Sequence, residues 1–344
     1  ENDPLLQFFG AFVIAHPRGD GVISLRTSMK EISQIVEELH PDLEDLEVDR
    51  LLFRRRQRSH AMIILIPLVA LIATGFMSKN LFLFGMASVV WLIISSTIYH
   101  FRAGKLGSAY TNNYKSRIIP RIVKSLDSQL NYDHSSGIHS STFEDTELFT
   151  TEPDRYKTED LVSGKYGATF LQMAEIDAEE RRTRRDSDGD TETYYVTIFK
   201  GILLIADFHK HFQGRTFIFP DNAEKLLGNF GRFFQKMGGR SGTRLLRLED
   251  PDFEKAFAAY STDEVEARYI LSTAMMRRLL DMQQRFGKDV RIGFKDSSLI
   301  LAVPHTDSFL EPSTSLPATD TTQIRDMLFH LSHFLKTIEE LDLN

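Results

Sequence analysis

The residues best suited to chemistry in this sequence are carboxylates. Glu159, Asp160, Glu175, Asp207, Glu249, Asp250 and Glu266, with Arg268 beside the last, punctuate residues 159–268. Two carboxylates in one cleft can divide acid and base work, one kept protonated and the other ionised. Neither G-x-S-x-G nor H-E-x-x-H accompanies them, so no motif supplies a nucleophile or a metal-bound water. Helix caps and salt bridges are therefore the expected roles of these groups. The acidic run Asp186-Ser187-Asp188-Gly189-Asp190 invites a calcium reading. A calcium loop counted from Asp186 would need Gly and Glu where Thr191 and Thr197 stand, so the pattern fails. His209 with His211, and His330 with His333, make two pairs on different elements rather than the three or four converging ligands zinc takes. The expected sets of catalytic, cofactor-binding and metal residues are empty.

A second chemistry is cationic. Six basic residues stand from 225 to 247 with no acidic one: Lys225, Arg232, Lys236, Arg240, Arg244 and Arg247. Gly228, Gly231, Gly238, Gly239 and Gly242 are interleaved, in neither the P-loop nor the dinucleotide spacing. Contact with anionic headgroups is the function this stretch suggests.

What must position all of this begins with residues 61–77 and 81–99, two runs without a charged side chain separated by Ser78-Lys79-Asn80. At about 1.5 Å per residue each reaches roughly 25–29 Å as a helix, close to the ~30 Å hydrocarbon core of a bilayer. Arg54, Arg55, Arg56 and Arg58 precede the first run, and Arg102 and Lys105 follow the second. That distribution puts both ends in the cytoplasm and the small loop outside. No Asp, Glu, Lys or Arg lies within the runs, which argues against an ion pathway. The start at Glu1 carries no cleavable signal pattern, so the hairpin is expected to act as the targeting signal.

The chain of 344 residues carries a net charge of −7, too acidic for a general nucleic-acid binder, and no cysteine, which excludes disulfides and thiolate zinc sites. Residues 1–58 read as a cytoplasmic, partly helical segment, with a capping box at Ser28 and Glu31 and an interruption at Pro41. The transmembrane hairpin occupies 59–101. A juxtamembrane amphipathic helix is expected over 102–132, where Tyr110, Tyr114, Ile118, Ile122, Leu126 and Leu130 recur every four residues among Lys115, Arg117, Arg121 and Lys124. Residues 133–153, rich in Ser and Thr, read as a linker. Residues 154–344 read as an α+β domain. Its strands are expected at 166–176, 194–207, 215–219, 243–248, 290–294 and 298–303, and its helices at 252–259, 263–286 and 321–341. The charged segment 179–192 reads as a solvated hairpin tip. The irregular interleaving predicts a mainly antiparallel sheet with packed helices.

Phrases in this domain resemble an uncharacterised bacterial membrane family, a domain of unknown function that carries the misleading label galanin. They are Asp154-Arg155-Tyr156 with Glu159-Asp160 and Gly164, then Ala174-Glu175-Ile176. Phe199-Lys200-Gly201 and Ala206-Asp207-Phe208 follow. Leu248-Glu249-Asp250-Pro251, Phe253-Glu254-Lys255-Ala256-Phe257 and Glu266-Ala267-Arg268-Tyr269-Ile270-Leu271 complete the set. Order and spacing agree over roughly residues 105–311, and the two-helix segment ahead is also similar. The resemblance implies a membrane anchor and a cytoplasmic domain, with no catalytic residues to carry over.

The reading is a membrane-anchored, non-enzymatic protein whose cytoplasmic domain binds a protein partner or further copies of itself. Its location is the bacterial inner (cytoplasmic) membrane, multi-pass, with both termini cytoplasmic. The alternatives are a sensor of anionic lipid or a small ligand, and an unrecognised hydrolase. Expected partners are the lipid bilayer and a protein or second copy, with no nucleic acid and no cofactor. The expected lipid-contacting residues are Arg54, Arg55, Arg56, Arg58, Arg102, Lys105, Arg232, Lys236, Arg240, Arg244 and Arg247.

Overall fold

A computed structural model describes residues 21–79, 81–185, 190–208, 210–221, 242–305 and 309–341. Two long helices come first, α1 (Gly21–Met77) and α2 (Leu81–Arg117), joined by a tight turn in which Lys79 takes a left-handed φ of 55°. Pro41 does not split α1, contrary to the sequence reading; both Pro41 and Pro67 lie inside it. Proline costs a helix one backbone bond. Here Leu39 and Leu43, on either side of Pro41, are both buried, and packing outweighs that cost. The lower halves of the two helices form a stem. Leu39, Leu43, Leu46 and Phe53 on α1 meet a stripe on α2 made of Tyr110, Tyr114 and then Ile118 at its end. Asp42 accepts a hydrogen bond from Arg117 and forms an ion pair with Arg121 across the base of this stem.

Helix α2 runs unbroken through the start of the segment read as a separate juxtamembrane helix. The short α3 (Ile119–Leu126) follows, with Pro120 in its first turn, where a missing N–H costs nothing. The four-residue stripe is correct as far as Leu126, but Leu130 belongs to a strand, β1 (Leu130–Asp133).

The described residues form one nine-stranded antiparallel sheet. Its members in chain order are β1, β2 (Arg155–Tyr166), β3 (Thr169–Arg185), β4 (Thr191–Asp207), β5 (Thr216–Pro220), β6 (Arg244–Leu246), β7 (Phe257–Ser261), β8 (Arg291–Lys295) and β9 (Ser298–Pro304). Their order in space is β1-β2-β3-β4-β9-β8-β5-β7-β6. The sequence reading missed β1, β2 and β7. It extended one helix over β7, where α5 (Pro251–Ala256) gives way to strand at Phe257. The helix expected over 263–286 is two, α6 (Glu264–Ile270) and α7 (Thr273–Phe286), because Ser272 caps the second. The last helix, α8 (Thr321–Glu340), lies where expected.

Each sheet face has its own cover. On one face α2, α3, α7 and α8 bury a large core that includes Ile119, Ile122, Leu171, Leu204, Leu301 and Leu331. On the other, Ile138, Phe143 and Leu148 pack onto Ile176, Leu203 and Phe217. The segment 133–153 is therefore no linker. It holds a short helix, α4 (Ser140–Asp145), capped by His139, and Phe143 at its centre is 1% exposed and stacks on Phe149. A few large apolar residues in a polar stretch suffice to cover half a sheet; truncating such a Phe costs about 3–5 kcal/mol. The readings at residues 1–20, 186–189, 209 and 222–241 lie outside the described residues.

Candidate functional site

The densest polar arrangement among the described residues sits where the stem meets the sheet. Lys115 projects from the last turn of α2 and is 3% exposed. Its Nζ donates to Asp160 Oδ2 at 2.8 Å and Glu159 Oε2 at 3.2 Å, and pairs with Glu311 Oε2 at 2.9 Å. Asp160 reaches inward because the β2–β3 register shifts between Glu159 and Val162, with Asp160 itself at a left-handed φ of 60°. The Tyr132 hydroxyl of β1 donates to the other Asp160 oxygen. Glu175 stands opposite Glu159 on β3 and accepts the Phe309 N–H at 3.0 Å. Five parts of the chain thus converge: α2, β1, β2, β3 and residues 309–311.

The charges are unequal, one lysine against four carboxylates. Burial opposes the charge of Lys115, but its bonds to Asp160 and Glu311 win and hold it well above the usual lysine range. The same burial pushes Asp160 up, only partly offset by Lys115 and Tyr132. Glu175 is raised by burial and, further, by the charges of Glu159 and Asp160. Tyr132 is raised by burial and by Asp160. A lysine kept this firmly protonated is no nucleophile. It neutralises and ties.

Beside the cluster opens a polar cleft of about 610 Å³. Its walls are Ser108, Thr111 and Asn112 of α2, His134 and Ser135 after β1, and the exposed sides of Glu159 and Glu311. The chemistry fits a polar or cationic group that accepts from hydroxyls and donates to carboxylates. No set of three or more His, Asp or Glu poised for a metal occurs among the described residues.

Of the carboxylates singled out from the sequence, only Glu159, Asp160 and Glu175 come together. Asp250 caps α5 through the N–H groups of Asp252 and Phe253. Glu266 accepts from the N–H groups of Gln213 and Gly214. Arg268 pairs with Glu264 and donates to the Arg247 carbonyl. Asp207 ends β4 opposite Ser298, and Glu249 is exposed in the loop before α5. His330 lies near His305 and Phe309, and His333 bonds to the Phe329 carbonyl. The basic stretch is not one surface among the described residues. Arg244 begins β6 and is exposed, while Arg247 is paired with Glu254 at 3.1 Å. Arg232, Lys236 and Arg240 lie outside the described residues. Arg55, Arg56 and Arg58 are exposed on α1 with Arg54 half-buried, and Arg102 and Lys105 fall within α2. Lys115, Glu311 and Tyr132 are not among the site candidates of the sequence reading, which names Lys115 only as one of the basic residues of an amphipathic juxtamembrane helix. Its burial depends on a strand irregularity that leaves no local signal.

Residues 197–343 match the family model described as "Protein of unknown function (DUF3137)". The match starts within β4 and runs past the end of α8, and it agrees with the resemblance to an uncharacterised family. No curated protein matches. One similar solved structure is the crystal structure of the mycobacterial trehalose monomycolate transport factor A, TtfA. It is 10% identical over 64% of this chain and 91% of that one, with a TM-score of 0.32, a likeness too low to carry an argument.

Proposed function

We propose that the protein is a membrane-anchored, non-enzymatic assembly protein whose α1–α2 hairpin crosses the bilayer and holds the α+β body at the cytoplasmic face. One observation carries the reading. Above the stem, the same two helices turn large apolar side chains outward on every side: Met62, Ile63, Leu65, Ile66, Val69 and Phe76 on α1, and Phe82, Leu83, Met86, Val89, Val90 and Ile93 on α2, are each half-exposed or more. Contiguous apolar surface of that extent marks a place where something other than water belongs. The most apolar window of Gln34–Met77 has a mean hydropathy of 2.2 and is only 11% buried. Phe82–Ile98 is a shorter apolar helix. Its seventeen residues span about 25 Å, at the lower limit for a crossing. The seam between the helices favours lipid as well. Gly75 packs against Phe84, and Ser95 is buried, as expected where small residues let helices approach. Arg54, Arg55, Arg56 and Arg58 then sit at the headgroup level, where basic residues favour the cytoplasmic side.

The absence of cysteine makes the test direct. Lys79→Cys and Val265→Cys are single-thiol variants in sealed, right-side-out vesicles. An impermeant maleimide should label the thiol at position 79 at once and the thiol at position 265 only after permeabilisation, and both variants should stay in the pellet after carbonate washing. Release by carbonate, or equal labelling of both sites, overturns the anchor. Native mass spectrometry of the full chain in mild detergent tests assembly. A stoichiometric second protein or a homo-oligomer is the expected result, and a bare monomer overturns it. A second reading, a receptor for a small polar or cationic ligand, is favoured by the cleft at Lys115; a co-purifying small molecule displaced by Glu311→Gln would support it.

A further inference from the structure

Strands β3 and β4 outrun the sheet. Strand β2 ends its pairing at Arg155 opposite Glu179, and β9 ends its pairing at Pro304 opposite Gly201. Beyond those points β3 and β4 continue as a two-stranded arm, paired from Glu179 with Thr197 to Arg185 with Thr191. The arm extends about 20 Å at ~3.4 Å per residue. A backbone edge without a partner is a template for another strand, and proteins block such edges with charge.

The two edges of this arm are treated differently. The β3 edge carries Arg181, Arg182, Arg184 and Arg185, and the first N–H beyond the sheet, that of Arg181, is taken by Asp154 at 2.7 Å. The β4 edge reads Thr191-Glu192-Thr193-Tyr194-Tyr195-Val196-Thr197-Ile198-Phe199, β-branched and aromatic with one charge. No described strand pairs with it on the β9 side. Among the described residues, the chain that follows β9 does not cover it. After the His305 N–H bonds to the Lys200 carbonyl, Phe309 has already crossed to Glu175 on β3. Tyr194 is 41% exposed and Thr191, Glu192, Thr193 and Thr197 are exposed.

We propose that this β4 edge is the assembly surface and that its occupant is the same edge of a second copy, paired antiparallel about a two-fold axis at Tyr194. The inference rests on the assembly reading above and names its surface. The edge is complementary to itself in this register. Tyr194 faces Tyr194 of the second copy, Thr193 faces Tyr195, Glu192 faces Val196, and Thr191 faces Thr197. Aromatic, aromatic–β-branched and Thr–Thr pairs are the favourable cross-strand combinations. Length agrees too, because pairing from Thr191 to Thr197 stops short of Lys200, whose carbonyl is already used. Next to the central pair, the Arg155 guanidinium lies 3.3 Å from the centre of the Tyr195 ring, which holds that aromatic in place beside the edge. A two-fold contact of this kind is closed, which separates it from open-ended edge aggregation.

The test uses full-length chain in detergent, so it does not depend on the membrane reading. At a two-fold antiparallel pair the Cα atoms lie about 4.5–5.5 Å apart, within reach of a disulfide. Tyr194→Cys should convert mostly to a covalent dimer under mild oxidant, whereas Val265→Cys, exposed elsewhere at 79%, should not. Thr191→Lys with Thr197→Lys sets lysine opposite lysine twice and should shift the native mass from two copies to one without moving the thermal midpoint of the body. Equal crosslinking of the two cysteine variants, or a two-copy mass that survives the lysines, overturns the proposal. A stoichiometric foreign protein without a crosslink in Tyr194→Cys also overturns it while leaving the assembly reading intact; a bare monomer overturns both.

Discussion

The two ends of one helix pair make the most instructive comparison in this molecule. Over residues 61–98, α1 and α2 turn apolar side chains outward and meet at a seam where Gly75 packs against Phe84 and the Trp91 indole donates to the Ile64 carbonyl at 3.3 Å. In the stem the same helices become amphipathic and charged, and one apolar face, Leu39, Leu43, Leu46 and Phe53 with Tyr110 and Tyr114, is buried, while Val48, Leu51 and Leu52 on the other side of α1 stay exposed. Leu46 is 0% exposed in the stem and Leu65 is 60% exposed in the hairpin. Helical structure is common to both ends. What differs is the partner: one end is completed by a protein body and the other by whatever surrounds it. An all-apolar helix surface has no preferred face, so it specifies a solvent, whereas an amphipathic one specifies a mate.

The strongest way to break the comparison is to place the same charge at both ends. Leu46→Asp buries an unpaired carboxylate in the stem and should cost about 5 kcal/mol, abolishing the folded body's thermal transition. Leu65→Asp should leave that transition unchanged while weakening membrane insertion by about 3 kcal/mol, read by carbonate extraction. If both variants lost the same property, the two ends would not be distinct.

A smaller effect sharpens the lower end. Lys115→Met leaves Asp160 buried without its cation and should cost about 3–5 kcal/mol at neutral pH. The sign of its pH dependence follows from the raised Asp160 pKa. An acid whose folded pKa lies above its unfolded value stabilises the fold most below the unfolded pKa, and loses that contribution as pH rises through the folded one. The penalty of Lys115→Met should therefore shrink on acidification, as Asp160 takes up a proton, and urea titrations from neutral to mildly acidic pH would show it. A penalty independent of pH would remove Asp160 from the account.

The smallest expected change is at Arg50. It clasps Glu47 through two bonds of 2.7 and 2.8 Å, and donates to the Thr314 carbonyl at 3.2 Å. Glu47 also accepts the Ala318 N–H at 2.6 Å, so this pair rivets the stem to the segment before α8. Arg50→Ala should cost about 1–3 kcal/mol and make residues 312–320 the first to exchange amide hydrogen.

Much of this was legible in the sequence. The α+β class, the antiparallel sheet, the long final helix and the solvated arm follow from periodicity and turn residues near each element. The cover over the second sheet face was not, because Ile138, Phe143 and Leu148 stand in a Ser- and Thr-rich stretch with no regular period. Nor was β7, where Phe257-Ala258-Ala259-Tyr260-Ser261 continues an apparent helix, and only pairing with β5 and β6 makes it a strand. The site was half legible. Glu159, Asp160 and Glu175 were in view as types, without the lysine that makes them a cluster.

By itself, the sequence determined which stretches exclude charge, which alternate and which repeat every four residues, since those patterns are set by the side chains and the geometry of helix and strand. Tertiary structure decided which charges meet. A carboxylate becomes part of a site only when a strand irregularity at Asp160, a helix end at Lys115 and a returning loop at Glu311 arrive at one point. Those three positions lie far apart along the chain, so no local pattern can encode their meeting.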